Sequence, residues 1–345
     1  MIAERKHGLD VIRALAIVMV LLSHFTSSTH SFGIAGVELF FVLSGYLIGG
    51  IFLRSYEGKG SDYTFKLLLN FWQRRWYRTL PNYFLFFLVA FLIERPDLSQ
   101  VLIWRYFFFL QNFSSPVTPF YTISWSLAVE EWFYLTFPLT VWLLFLLTKR
   151  KTISLGGAMV ATILLATFFR FHFTGEGWDG TTRKIVLGRL DALQIGVLLA
   201  VIERHRPHWW RRIKPVGVIL FFAFVGSLLA AHFQFSQSHF PIPPVLLFIL
   251  FPLGSAGVII LLKETSLGRL QPLVEWLSKI SYSLYLSHLP IKNGMEALFG
   301  HPPFSLSLSW VVMKILTIVL VLVISHLVYR FVEIPLMKMR PKEIG

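Results

Sequence analysis

Cysteine is absent from this sequence of 345 residues, and charged residues make up only 14% of it. Without cysteine, these residues can form neither a disulfide nor a thiolate nucleophile, so function must come from other side chains. The low charge accompanies a hydrophobic content of 55% and a mean hydropathy of +0.65. A soluble protein of this length could bury a sizeable core with far less apolar sequence. These features indicate an integral membrane protein.

The sequence also contains little that would mark a second domain. Its apolar runs are joined by short loops, and we find no convincing internal repeat. The lack of a repeat disfavours the transporters that are built from two inverted halves. We therefore expect residues 1–345 to form a single transmembrane domain.

Apolar runs of about twenty residues recur from end to end, and such a run crosses ~30 Å of hydrocarbon as a helix. They predict an all-α fold, a polytopic helical bundle of about ten transmembrane helices. The predicted helices lie near residues 9–27, 35–54, 81–95, 125–148, 153–173, 185–203, 213–233, 244–263, 280–299 and 308–331. The aromatic stretch 96–124 is too short to span the bilayer. We interpret it as interfacial or re-entrant, with its role left open.

Basic residues give this bundle an orientation. The chain has 32 Lys and Arg residues against 18 Asp and Glu residues. When alternate loops are assigned to opposite sides, the sparsely charged side holds only Arg95, Arg105, Arg183 and Lys184. This positive-inside pattern predicts that both termini are cytoplasmic. The excess of positive charge then reflects topology, with anionic membrane lipids as its partner, and indicates no nucleic-acid ligand.

Ionisable residues inside the apolar runs are costly and mark candidate sites. Arg13 and His24 lie eleven residues apart on the first predicted helix, which places them within ~20° of one face and ~16 Å apart along the axis. Glu38 begins the second helix at about the level of His24. Because a bonded carboxylate raises the basicity of an imidazole, we predict that Glu38 orients His24 as a general base. The alternative is an arginine and a histidine resting at opposite interfaces.

Two further motifs could line a path through the bundle. Ser44, Gly45 and Tyr46 lie mid-membrane, where glycine allows close helix approach and two hydroxyl groups could serve a polar tunnel; simple packing by small residues is the alternative. Arg75 and Arg78 are helical neighbours whose two guanidinium groups suit a phosphate ligand. Anchoring of the cytoplasmic side would also explain them.

Two polar pairs follow later in the chain. Glu130 and Glu131 begin the fourth predicted helix. Since adjacent residues diverge by ~100°, at most one should face a shared cavity, where it could bind sugar hydroxyls or orient a catalytic group. Arg189 and Asp191 form another buried polar site, and their partners must come from other helices because residues two apart do not face each other. No metal site is predicted.

Taken in order, these motifs resemble those of the membrane acyltransferase-3 family, which O-acylates surface carbohydrates and some small molecules. The matching features extend along nearly the whole chain. They are Arg13-x10-His24, the run from Phe40 to Tyr46, Arg75-x-x-Arg78 before Pro81, the run from Trp125 to Glu131, Arg189-x-Asp191-Ala192, the run from Ser281 to Leu286 followed by His288, and Tyr329-Arg330-Phe331-x-Glu333-x-Pro335.

The resemblance implies an O-acyltransferase of the bacterial inner membrane. The donor would be acyl-CoA, usually acetyl-CoA, bound from the cytoplasm, and His24 would be essential for transfer. The acceptor would be a carbohydrate of the O-antigen, exopolysaccharide, peptidoglycan or glycolipid class. The residues expected to bind the donor are Arg13, Arg75, Arg78, Ser44 and Tyr46. Those expected to bind substrate or to support the site are Glu130, Glu131, Arg189, Asp191 and His288.

This sequence departs from the family pattern at two positions. Members often have glutamine after the paired glutamates and tryptophan before the late histidine, where this chain has Trp132 and Ser287. We expect these differences to affect the acceptor side and to leave the donor side unchanged. Many members also carry a fused extracytoplasmic esterase-like domain, which we do not expect here.

The predicted mechanism places the CoA head against Arg75 and Arg78, with its pantetheine arm rising past Arg13 and Ser44. His24 then either deprotonates the acceptor hydroxyl or carries the acyl group itself. Two alternatives remain open: a transporter or flippase that uses the same buried residues without chemistry, and an acyltransferase acting on a small-molecule hydroxyl. The sequence leaves open the acceptor, the acyl chain length and the oligomeric state.

Overall fold

A computed structural model describes residues 6–26, 29–58, 64–172, 182–236, 244–300 and 308–344. Within these ranges every regular element is helical, which confirms the all-α prediction. A helix satisfies its backbone hydrogen bonds internally. It is therefore the structure that so apolar a chain can adopt where water is absent.

The α-helices of the described residues are named here in chain order. They are α1 (His7–Phe25), α2 (His30–Tyr56), α3 (Phe65–Glu94), α4 (Trp104–Phe107), α5 (Trp125–Thr148), α6 (Lys151–His172), α7 (Gln194–His205), α8 (Trp209–Arg212), α9 (Lys214–Ser236), α10 (Pro244–Leu262), α11 (Gln271–Phe299), α12 (Leu308–Val328) and α13 (Ile334–Lys338). A five-residue π-helical turn at Tyr329–Glu333 joins α12 to α13.

Several of these helices are long and apolar enough to cross a membrane, so the chain is a multi-pass membrane protein. Seven such spans occur in the described residues: His7–Phe25, His30–Tyr56, Phe65–Glu94, Thr122–Thr148, Lys151–His172, Lys214–Phe233 and Trp310–Lys338. The apolar helix Leu246–Leu262 is shorter. The predicted total of about ten crossings and the cytoplasmic location of both termini remain predictions.

The third helix is much longer than the sequence indicated. It begins at Phe65 instead of near residue 81, and it continues through Pro81 for 30 residues, a length of ~45 Å. The apolar pattern missed its first half because that half is rich in arginine and polar residues. As a result, Arg74, Arg75 and Arg78 lie on the same helix as the apolar span.

The prediction of a helix over residues 185–203 was wrong in its first half. The α-helix covers only Gln194–His205, which is 12 residues or ~18 Å. Upstream, the backbone N–H groups of Val186 and Leu187 donate to the carbonyl oxygens of Asn112 and Phe113 at 2.9 and 3.2 Å. The backbone there pairs with a distant segment instead of continuing a helix, and hydrophobic periodicity carries no signal for such a contact.

Helix α2 packs against α1 and α7 near the centre of the molecule. An added Cβ atom at Gly45 would lie 2.0 Å from the carbonyl oxygen of Leu193, and one at Gly196 would lie 2.0 Å from that of Val42. The two helices therefore meet backbone against backbone, which only glycine permits at these positions. The predicted close approach at Gly45 is confirmed, and it fixes the face that α2 turns to the site.

The segment between α3 and α5 contains only the short helix α4 and a 3₁₀ turn at Thr122–Ser124. It folds back on the bundle: the Tyr106 hydroxyl donates to the carbonyl oxygen of Phe120 at 2.7 Å, and the Trp132 indole donates to that of Phe109 at 3.0 Å. As predicted, it is too short to span the membrane. Residues 117–119 line a cavity that also holds His24.

Candidate active site

Five of the predicted residues line a single space, which we call the central cavity. Its volume is about 780 Å³. Four helices supply these residues, which are Arg13 of α1, Ser44 of α2, Arg75 and Arg78 of α3, and Glu130 of α5. The fold thus brings together side chains that lie more than a hundred positions apart in the sequence.

Arg75 is held in a fixed position at the wall of the central cavity. Its Nη2 donates to Oε2 of Glu130 at 3.2 Å, and its guanidinium lies 4.2 Å from the ring centroid of Tyr134. The Tyr134 hydroxyl donates to the same carboxylate at 3.0 Å, and the Ser44 hydroxyl donates to Oε1 at 3.4 Å. Glu130 is therefore the counter-ion that orients Arg75.

Glu131, the neighbour of Glu130, is 8% exposed and does not contribute to the central cavity. This confirms the prediction that at most one carboxylate of the pair faces it. The adjacent Trp132 points towards the 96–124 segment through its bond to Phe109. Trp132 and Ser287, whose hydroxyl lies 2.9 Å from that of Ser325, make structural contacts and line neither the central cavity nor the cavity around His24.

The other two arginines of the central cavity differ in their surroundings. Arg13 donates to the Ser278 hydroxyl at 2.9 Å, and Ser278 in turn donates to Asp10 at 2.6 Å. Asp10 and Ser278 are positioning groups that the sequence patterns did not indicate. Among the described residues, no side chain or backbone group forms a hydrogen bond or ion pair with Arg78. Its guanidinium faces the cavity and can hold an anionic ligand.

A second space, the histidine cavity, measures about 980 Å³. It is lined by His24 and His30, by Arg183 and Lys184, and by Thr118 of the 96–124 segment, together with apolar residues. Its lining residues in the described chain include no carboxylate. Val37 and Tyr285 line both this cavity and the central one, so the two spaces adjoin.

His24 has a second histidine beside it. The ring centroids of His24 and His288 are 4.9 Å apart, with the planes tilted by 49°. His288 is fully buried, and its Nδ1 lies 3.1 Å from the carbonyl oxygen of Leu284. Because a carbonyl oxygen can only accept, Nδ1 carries the proton and Nε2 is left as an acceptor. No described group bonds to that Nε2.

Glu38 does not orient His24, so this part of the prediction is wrong. Its carboxylate accepts two hydrogen bonds from Nη2 of Arg189, at 2.6 and 2.5 Å, and Nη1 of Arg183 lies 4.0 Å away. Both Glu38 and Arg189 are almost completely buried. A buried carboxylate requires a compensating positive charge. The guanidinium of Arg189 is always charged and supplies it, whereas an imidazole would be charged only when protonated.

Arg189 and Asp191 do find their partners on other elements, as predicted. Arg189 bonds Glu38 of α2, and Asp191 bonds Arg170 of α6. Neither residue lines the central or the histidine cavity. The pair ties the irregular segment before α7 to α2 and α6. These ion pairs give both residues a structural role in linking parts of the bundle, which is one of the two roles expected for them.

Tyr46 also lies away from the predicted path. Its hydroxyl donates to Glu203 of α7, and Glu203 is bonded by Lys263 as well. The ammonium of Lys263 lies 3.8 Å from the centroid of the Trp210 ring. Tyr46 therefore belongs to a polar cluster that joins α2, α7 and Lys263, the residue after α10, and it lines neither the central nor the histidine cavity.

A third space, the basic cavity, measures about 500 Å³. It shares Ile48, Arg75 and Arg78 with the central cavity. Its other charged residues are Arg74 of α3 and, from the end of the chain, Arg340 and Glu343. None of these three residues belongs to a motif that the sequence indicated. The proximity of Arg74 to the predicted arginine pair was the one available signal.

One group of side chains has the composition of a metal site. The ligand atoms of His7, Asp10 and Glu275 lie within 4.8 Å of one another. Nδ1 of His7 is 3.1 Å from the Glu275 carboxylate, and Asp10 accepts the bond from Ser278. These contacts account for the cluster as a polar link between α1 and α11, and it lies outside the three cavities.

Comparison with known proteins supplies an independent view of the chain. A family model described as "Acyltransferase domain" matches residues 6–330. The O-acetyltransferase OatA of Staphylococcus aureus strain NCTC 8325 is 28% identical over 376 aligned residues, which cover 96% of this chain and 57% of that protein. A protein of Staphylococcus aureus strain COL named "Putative O-acetyltransferase SACOL0978" is 27% identical over 371 residues, with the same coverage.

These relatives are longer than the present chain, which spans 57% of their length. No solved structure matches the chain.

Proposed function

The chain belongs to the acyltransferase family whose model spans its residues 6–330, and we propose that it moves an acyl group, acetyl in the first instance, from acyl-CoA to a carbohydrate hydroxyl. The donor arrives from the cytoplasm, and the acceptor is reached from the opposite side of the membrane. The names of the relatives, which read O-acetyltransferase, favour acetyl as the group and oxygen as its destination.

Three adjoining cavities carry this proposal. The basic and central cavities share Arg75 and Arg78, and the central and histidine cavities share Val37 and Tyr285. A ligand with a polyanionic head and a long flexible arm fits this arrangement, since its phosphates would meet arginines while its arm follows the central cavity. The distance from Arg13 to His24 along α1, ~16 Å, is close to the reach of a pantetheine arm.

The residues present suit acyl-CoA in charge as well as in shape. Arg78 forms no hydrogen bond or ion pair within the described residues, interacts electrostatically with Glu333, and lines both the basic and the central cavity. Arg75 has one buried Nε with no described hydrogen-bond acceptor. Guanidinium groups of this kind bind phosphate with charge-assisted, bidentate bonds. The histidine cavity, in contrast, contains His24, whose imidazole can accept and return a proton.

His24 is the catalytic residue of the proposed reaction. As a general base, it removes the proton of the acceptor hydroxyl while that oxygen attacks the thioester carbonyl. The C–S bond then breaks, and the leaving thiolate of CoA takes the proton back from His24, so that the acyl ester and free CoA are the products. If His24 attacks first, the thioester C–S bond breaks as the acyl–imidazole bond forms, and CoA leaves as a thiol with the imidazole proton. The acceptor oxygen then attacks the acyl group, the acyl–imidazole bond breaks, and the hydroxyl proton returns to the imidazole as the ester is released. Both routes require a neutral imidazole at the start.

We further propose ten crossings of a bacterial inner membrane, with both termini in the cytoplasm. The one-sided distribution of Lys and Arg supports this orientation. The sixth crossing would combine the short helix α7 with the irregular segment 182–193. Non-helical backbone is tolerated at membrane depth when it is buried in protein, and Arg189 and Leu193 are fully buried there.

Surface glycans analysed by mass spectrometry test this function. Cells that produce the protein should gain glycan species heavier by one acetyl group, and His24→Ala at an equal membrane level should lose them. His208→Ala, an exposed histidine outside the cavities, serves as the matched control. A transporter without chemistry would change the amount of surface glycan without adding acetyl groups. Undiminished acetylation in His24→Ala would refute the proposed role of the residue.

Radiolabelled acetyl-CoA tests the direction of transfer. Inside-out membrane vesicles expose the cytoplasmic face, so they should transfer label to glycan, whereas sealed right-side-out vesicles should not. Equal labelling in both preparations would contradict the proposed orientation.

A further inference from the structure

The last described residues of the chain pack on the first half of α3. The Asn70 side chain donates to the carbonyl oxygen of Lys342 at 3.0 Å and accepts from the backbone N–H of Ile344 at 3.3 Å. Arg74 donates to the carbonyl oxygen of Pro341 at 2.7 Å. Its other nitrogen lies 3.2 Å from the Glu343 carboxylate. Residues 339–344, which we call the C-terminal segment, are thus fixed against the arginine-bearing face of α3.

The C-terminal segment forms one wall of the basic cavity. Arg340 and Glu343 line this cavity together with Arg74, Arg75 and Arg78. Four guanidinium groups therefore face a space that contains one carboxylate among its lining residues. Glu343 is already paired with Arg74, and Glu130, outside this lining, pairs with Arg75. Arg78 and Arg340 are the two arginines of this lining without a described ion pair, although Arg78 also interacts electrostatically with Glu333.

Arg340 has no structural task that explains its position. It is exposed, and among the described residues nothing forms a hydrogen bond or ion pair with it. Like charges that converge without partners are unfavourable, since each would be better hydrated alone. Their arrangement becomes favourable when a ligand with several negative charges enters the space between them.

We propose that the C-terminal segment completes the donor site: Arg340 binds a phosphate of the nucleotide end of acyl-CoA inside the basic cavity. The inference rests on the proposed function and adds to it a residue outside the part of the chain that the family model matches, which ends at residue 330. Glu343 lies on the same wall, and its negative charge opposes the ligand. The C-terminal segment therefore sets affinity for the nucleotide through two residues of opposite effect.

Two donors separate this role from a general effect on the fold. Acetyl-CoA carries the nucleotide, whereas S-acetylpantetheine has the same thioester and arm without any phosphate. Initial rates of transfer in inside-out vesicles give KM and kcat for each donor. Arg340→Gln should raise KM for acetyl-CoA by about tenfold, the effect of losing one charge-assisted hydrogen bond. It should leave kcat and the KM for S-acetylpantetheine unchanged.

Two variants of the same region sharpen the test. Lys338→Gln removes an exposed cation two positions away that does not line the basic cavity, and it should change neither KM. Glu343→Gln removes the opposing carboxylate, so it should lower KM for acetyl-CoA. A change of opposite sign within six residues is not expected from loss of folding.

The remaining outcomes distinguish failure of this inference from failure of the proposed function. If wild-type vesicles use acetyl-CoA and Arg340→Gln has an unchanged KM, the C-terminal segment has no part in donor binding and the proposed function stands. Equal increases for both donors would also overturn the inference, because they indicate damage that does not depend on the nucleotide. If wild-type vesicles use neither donor, the proposed function fails as well.

An anionic lipid headgroup could occupy the same guanidinium groups. The measurements are therefore repeated with the full chain reconstituted in phosphatidylcholine and in phosphatidylglycerol. A nucleotide site keeps the Arg340→Gln effect in both lipids. An effect that appears only in phosphatidylglycerol would assign the C-terminal segment to the lipid and overturn the inference.

Discussion

His24 and His288 lie beside each other with ring centroids 4.9 Å apart, although 264 positions separate them in the chain. His288 is buried behind His24, and its Nδ1 proton is committed to the carbonyl oxygen of Leu284. Its Nε2 therefore presents a lone pair in the neighbourhood of His24. This contact takes the place of the carboxylate partner that the sequence suggested, since Glu38 is bound to Arg189.

Replacement of His24 should abolish transfer. His24 and His30 both line the histidine cavity, and His24→Ala removes the one that lies beside His288. Loss of a general base typically costs roughly 10²–10⁴-fold in rate. The measurement is the acetyl-transfer rate in inside-out vesicles with the expression level normalised. His30→Ala, which removes the other histidine of the cavity, should cost much less. An equal loss in both variants would show that the cavity needs bulk or polarity instead of one base.

Replacement of His288 should lower turnover and leave donor binding intact. His288→Gln keeps a polar group of similar size but replaces the imidazole beside His24, so kcat should fall about tenfold while KM for acetyl-CoA stays constant. His288→Asn places a shorter amide at the same position, and its kcat should fall by a similar factor. An increase in KM without a change in kcat would assign His288 to the donor side and contradict this prediction.

Loss of Glu130 should weaken donor binding. Glu130→Ala leaves Arg75 without its ion-pair partner, so the guanidinium loses its fixed position and KM for acetyl-CoA should rise about fivefold or more. Glu131→Gln is the matched control, because its side chain lies one position away and outside the central cavity. If the two variants raise KM equally, the orienting role of Glu130 is wrong.

Breaking the buried pair of Glu38 and Arg189 should destabilise the protein. Arg189→Met leaves the Glu38 carboxylate without its main partner, at a cost of about 3–5 kcal/mol in the free energy of unfolding. The double variant Glu38→Gln/Arg189→Met removes both charges and should recover a large part of that loss. Thermal unfolding of the purified protein in detergent measures both. A double variant no more stable than Arg189→Met alone would contradict a simple charge-compensation role.

A methyl group at Gly45 should separate α2 from α7. Gly45→Ala would place a Cβ atom 2.0 Å from the Leu193 carbonyl oxygen, and such overpacking costs about 1–3 kcal/mol or more. Gly50→Ala on the same helix meets nothing within 4 Å and should leave the unfolding temperature unchanged or slightly higher. Equal changes in the unfolding temperature for the two substitutions would show that helix propensity, and not the contact with α7, determines the effect of Gly45→Ala.

Much of the candidate site could be predicted because helical geometry is local. A fixed rotation per residue places Arg75 and Arg78 on one face, and it separates Glu130 from Glu131. The structure bears out both expectations, with Glu130 at the central cavity and Glu131 outside it. Tyr46 differs from the prediction, because its hydroxyl turns to Glu203 although its height along α2 matches that of the site. Height along one helix does not say which neighbour a side chain meets.

By itself, the sequence determined that this is an all-helical membrane protein of the acyltransferase family, because apolar run lengths and ordered motifs are properties of the chain alone. Only the tertiary structure decided that Glu38 serves Arg189 and that His288 stands beside His24. It also decided that Arg340 joins arginines 262 positions away or more. These contacts depend on which helix faces meet, and that is set by backbone approaches such as Gly45 against Leu193 and by the requirement that every buried charge find a partner.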